Sequence, residues 1–65
     1  MGIQVQRKKA QYSQLAVATA LKIDPSTVSK WENGIAKPQA DKLIALSKLF
    51  KCTIDDLLKE EGDDK

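Results

Sequence analysis

Sixty-five residues make a single small domain and exclude a second one, and the formal net charge is only +2. The chain is 42% hydrophobic and 31% charged, with one cysteine and no histidine. That excludes an internal disulfide, every histidine-based catalytic arrangement and nearly all zinc sites.

No apolar run approaches the length of a membrane span and no signal-peptide pattern opens the chain, so a soluble intracellular protein is expected. Charge is unevenly distributed. Residues 1–51 hold nine Lys/Arg and three Asp/Glu, net +6, whereas residues 52–65 hold two Lys and six Asp/Glu, net −4. A basic body suits a polyanion partner. The plainer alternative is that these lysines only solvate helix surfaces.

In chain order, Ile3 to Ala10 reads as a first helix, with Ile3, Arg7 and Ala10 on one face. An inward Arg7 needs a carboxylate waiting for it. Gln11 and Tyr12 form a link, with the Tyr12 ring packed and its hydroxyl wet. Ser13 caps a second helix over Gln14 to Leu21, whose inner face is Val17, Ala18 and Leu21. Leu15 lies off that face and is expected to be exposed.

Asp24 and Pro25 start a third helix. The carboxylate caps the free N–H groups, and proline suits the first helical position because its missing N–H is not needed there. Val28 and Trp31 face inward, which leaves Ser26, Thr27, Ser29, Lys30 and Asn33 facing out. Asn33 and Gly34 end the helix with residues that tolerate positive φ. A loop with Lys37-Pro38 follows.

Gln39 to Phe50 is the longest helical stretch, with an apolar stripe expected from Ala40, Leu43, Ile44, Leu46, Ser47 and Phe50. Thr53 caps a last helix. Asp55 and Asp56 lie in its first turn, and Ile54, Leu57 and Leu58 give it an apolar edge. Cys52 reads as a small buried hydrophobe; a reactive thiol would need more than the nearby Lys48 and Lys51. Residues 1–59 are taken as the domain and residues 60–65 as an acidic flexible tail. No stretch has the alternation of a strand.

The order of these pieces resembles the lambda-repressor-like, or Xre, helix-turn-helix family. The resemblance runs from about Ile3 to Leu58. Its parts are the Ser13–Ala18 segment SQLAVA, the Ser26–Gly34 segment STVSKWENG, Lys37-Pro38, and the closing pattern LIALSKLFKCTIDDLL. It implies an all-α, compact five-helix domain that reads double-stranded DNA with the helix at 25–33 in the major groove.

Carried over residue by residue, the resemblance implies that Pro25, Ser26 and Lys30 face the bases, flanked by Thr27 and Ser29. Gln14, Asn33 and Lys37 are implied at the phosphates. It pairs Arg7 with Glu32 as a structural ion pair and makes Trp31 a core residue where relatives have an aliphatic one. It implies a homodimer on a two-fold operator, joined through Ile54, Leu57 and Leu58 with Phe50 and Ile35. Lys22 stands where the family often has glycine, so it either adopts a left-handed conformation or the turn differs. Gln6 stands where an apolar residue is common, which predicts looser packing of the first helix.

The function implied is a transcriptional regulator, in the repressor mode, in the cytoplasm of a bacterial or phage-infected cell and associated with the nucleoid. An antitoxin that blocks a toxin and autoregulates its promoter is the second reading, and a pure protein-interaction module the third. The sequence offers no nucleophile–base pair and no metal cluster, so no enzyme, cofactor, metal or small-molecule ligand is expected.

Overall fold

A computed structural model describes residues 2–59. Five helices follow one another: α1 (Ile3–Lys9), α2 (Gln14–Leu21), α3 (Pro25–Glu32), α4 (Ala40–Phe50) and α5 (Ile54–Leu58). No strand occurs among the described residues. The expected acidic tail, residues 60–65, lies outside them.

Three helix starts are fixed by side chains. Ser13 accepts from the Ala16 amide, Asp24 from the Ser26 amide, and Thr53 from the Asp56 amide. Asp56 returns the favour by accepting from the Thr53 amide, which completes a capping box. The helix ends share another device. Gln11, Lys22, Gly34 and Lys51 follow α1, α2, α3 and α4 with φ of 64°, 60°, 76° and 57°. In each case the next residue's amide returns to a carbonyl five residues back: Tyr12 to Arg7, Ile23 to Ala18, Ile35 to Lys30 and Cys52 to Ser47. Lys22 thus takes the left-handed conformation that glycine would take more cheaply.

The residue after each of these turns is apolar or aromatic. Tyr12, Ile23 and Cys52 pack against the core, but Ile35 is 72% exposed. Cys52 is half-buried rather than buried; its partial burial, followed by the charge of Asp56, pushes its thiol pKa up.

The core is Ile3, Val17, Ala18, Val28, Trp31, Leu46, Phe50 and Leu57, one or two residues from each helix. The Tyr12 and Phe50 rings meet with centroids 5.8 Å apart at 45°. The first helix is seated firmly despite Gln6. Ile3 is fully buried, and the Gly2 amide donates to the Leu57 carbonyl at 2.9 Å. A Cβ at Gly2 would collide with the Asp56 carbonyl, so only glycine fits there.

Two expectations are corrected. The inward stripe of α4 is Leu43, Leu46, Leu49 and Phe50; Ala40 and Ile44 face solvent, Ile44 by 46%. The stripe follows i, i+3 and i+7 from Leu43, and Ile44 lies a residue round the helix from it. Leu57 does not lie on a dimer surface. It is fully buried between α1 and the rest of the core, so the exposed apolar residues of α5 are Ile54 and Leu58. Phe50 is likewise in the core.

Candidate nucleic-acid interface

Helices α2 and α3 are joined by Lys22, Ile23 and Asp24 and pack closely on each other. Val17, Ala18, Val28 and Trp31 make the inner surface of the pair. On the outside of α3, Pro25, Ser26, Lys30 and Asn33 are exposed, and Thr27 and Ser29 are half-buried. Asn33 donates to the Ser29 hydroxyl at 3.3 Å. The loop after α3 folds back so that the Ile35 and Ala36 amides both reach the Lys30 carbonyl. Lys37 is exposed on that loop, and Pro38 after it is buried.

The N-termini of the two helices differ electrically. At α2 the cap is the neutral Ser13 hydroxyl. Among the described residues nothing accepts from the amides of Gln14 and Leu15, which leaves that end open to an anion. At α3 the cap is a carboxylate. Asp24 Oδ1 accepts from the Ser26 amide at 2.8 Å, and the Asp24 carbonyl takes the Thr27 amide at 2.9 Å. The Ser26 amide above all, then its hydroxyl, and less strongly the Lys30 charge, hold Asp24 below the ordinary aspartate range.

Glu32 anchors this assembly from within. Its side chain is only 3% exposed. It accepts from Arg7 Nε at 2.6 Å, from a second Arg7 guanidinium nitrogen at 3.4 Å and from Gln14 Nε2 at 2.8 Å. The remaining Arg7 nitrogen donates to the Tyr12 carbonyl at 2.8 Å. The Arg7–Glu32 pair therefore ties α1, the link after it and the start of α2 to the end of α3. The Arg7 fork matches the carboxylate's two oxygens as a lysine would not.

Residues 3–57 match the family model described as Helix-turn-helix, from the start of α1 into α5. The chain belongs to the lambda-repressor-like helix-turn-helix family. Three relatives of this helix-turn-helix domain carry regulatory names. Over 51 residues the chain is 41% identical to the HTH-type transcriptional regulator DicA of Escherichia coli strain K12, covering 78% of the chain and 38% of that protein. Over 57 residues it is 35% identical to Repressor protein C2 of Salmonella phage P22, covering 88% of the chain and 26% of the repressor. Over 59 residues it is 36% identical to the HTH-type transcriptional activator BcrR of Enterococcus faecalis, covering 91% and 29%. The chain thus spans less than two fifths of the length of each. No solved structure matches it significantly.

Within this helix-turn-helix unit the expected residues do not all stand alike. Pro25, Ser26, Lys30 and Lys37 are exposed, and Asn33 is exposed with its amide donating to Ser29. Gln14 is half-buried, and one hydrogen of its amide is already given to Glu32. The sequence reading gave Asp24 a capping role only; its exposure was missed. The Asp-Pro pair was the available signal, because a cap at the leading end of an outward-facing helix is itself outward-facing. Among the described residues no helix is long and apolar enough to cross a membrane, and no group of three or more potential ligands could hold a metal ion.

Proposed function

We propose that this domain binds double-stranded DNA in a sequence-specific manner as part of a transcriptional regulator. The carrying observation is α3: a helix with a buried apolar side, an exposed Ser26–Lys30 edge, and a terminal glutamate that locks its orientation to α1 and α2. Laid in the major groove, such a helix presents its first turns to base edges. Lys30 donates to guanine O6 and N7, Ser26 donates or accepts, Pro25 offers apolar contact, and Thr27 and Ser29 flank them. Gln14 and the open amides of α2 take a phosphate, with Asn33 and Lys37 on the same backbone further along.

A domain this small covers few base pairs, so two copies on a two-fold site give useful affinity. Ile35, Ile54 and Leu58 supply apolar surface for the second copy, at 72%, 37% and 46% exposure. Ile35 is the apolar residue after a helix-ending turn that the core leaves uncovered. Repression by covering promoter DNA needs no surface beyond these, and it places the protein with the nucleoid in the cytoplasm. The relatives' names speak of transcription, which favours the regulator over the antitoxin.

The test is selection of bound duplexes from a random pool with wild type and Lys30→Ala. Wild type returns a two-fold motif. Lys30→Ala binds it more weakly by ~1–3 kcal/mol and loses preference at one position per half-site. An unchanged motif removes Lys30 from the reading edge. Light scattering at micromolar protein shows a dimer that Leu58→Lys converts to monomer; a wild-type monomer removes the dimer.

A further inference from the structure

The negative charge at the head of α3 is at odds with DNA binding unless it has a task. Phosphate-binding helix ends offer free amides and positive potential. Here Pro25 has no amide hydrogen, the Ser26 amide goes to Asp24 Oδ1, and the Thr27 amide goes to the Asp24 carbonyl. The end of α3 that leads into the groove therefore carries no free backbone amide in its first three positions. It carries instead an exposed carboxylate, one turn or more ahead of the exposed Lys30 on the same helix. Such a group has acceptor capacity left after its bonds to Ser26. In the major groove only two base edges supply a donor to it, the N4 amino group of cytosine and the N6 amino group of adenine.

We propose that Asp24 is a specificity-determining residue: at the leading end of α3 its carboxylate accepts from an exocyclic amino group of cytosine or adenine and rejects carbonyl edges and phosphates. The inference rests on the DNA-reading function proposed above. It gives the reading edge two opposite charges with opposite demands. Lys30 requires acceptors and Asp24 requires a donor, so a helix shifted along the groove satisfies neither. It also separates the two helix ends: α2 takes the phosphate with a neutral cap, and α3 is kept off the phosphates by an anionic one.

Duplex selection is repeated with Asp24→Asn and Asp24→Ser, both of which retain a capping side chain. Wild type fixes cytosine or adenine at one position of each half-site. In both variants discrimination at that position falls about tenfold or more while the remaining positions persist, because a carboxamide or hydroxyl accepts and donates alike. Affinity for unrelated duplex rises in both. If the variants return the wild-type motif, even with tighter unspecific binding, Asp24 is only a cap. A second arm leaves the protein intact. Wild type is titrated with duplexes carrying purine in place of adenine, or 2-pyrimidinone in place of cytosine, at the fixed position. A loss of about tenfold or more is expected; equal binding overturns the proposal whether or not the variants fold. A wild-type selection with no motif overturns the DNA-reading function itself, and this inference with it.

Discussion

Glu32 has two obligations that no neighbouring residue could discharge. It neutralises Arg7 in a nearly dry setting and holds the Gln14 amide, so α1, α2 and α3 share one carboxylate. Removing it leaves an arginine whose side chain is only 12% exposed without its anion. Glu32→Ala should cost ~3–5 kcal/mol, a large part of a stability that in total is about 5–15 kcal/mol. The urea midpoint measures it; a loss below about 1 kcal/mol would show that the pair is only a surface contact. The ion pair was legible beforehand because an arginine at an inward position demands an acid, and a family pattern supplied one. The bond to Gln14 was not legible. Gln14 and Glu32 are eighteen residues apart, and only the packing angle of α2 on α3 brings them together. For the same reason Gln14 was expected at a phosphate with its whole amide free, whereas one of its two hydrogens is committed.

At the scale of elements, all five helices were readable: α2, α3 and α5 from caps as well as apolar spacing, α3 from its proline too, and α1 and α4 from apolar spacing alone. Less of their ends was readable. The left-handed residues after α1 and α4, Gln11 and Lys51, are ordinary polar residues that carry no sign of their backbone conformation. Lys22 was flagged only because glycine is frequent there. A left-handed non-glycine residue costs roughly 1–2 kcal/mol, partly offset on mutation by the greater freedom of glycine in the unfolded chain. Lys22→Gly should therefore stabilise the domain by about 0.5–1 kcal/mol, seen as a rise of several degrees in Tm. A fall in Tm would mean that the Lys22 side chain contributes more than its backbone loses. The α4 stripe was drawn too wide for a related reason. Spacing alone marks which residues are apolar within an arc, and the neighbours that cover part of that arc come from α1 and α5.

For the whole molecule the decisive quantity is electrostatic. The basic body of residues 1–51 should make binding fall steeply with salt, by about 0.9 in log–log slope for each phosphate neutralised. Lys37→Ala should weaken specific and unspecific binding alike and lower the slope by about one per domain bound. Fluorescence titrations across a salt series measure both, and an unchanged slope takes Lys37 off the backbone. The seat of Gly2 acts at this scale too. Its amide is bonded to the Leu57 carbonyl, and its Cα lies beside the carbonyls of Asp56 and Lys59. The first and last described residues, Gly2 and Lys59, consequently lie side by side. A short peptide joining residue 59 to residue 2 would close the domain into a ring without moving any helix.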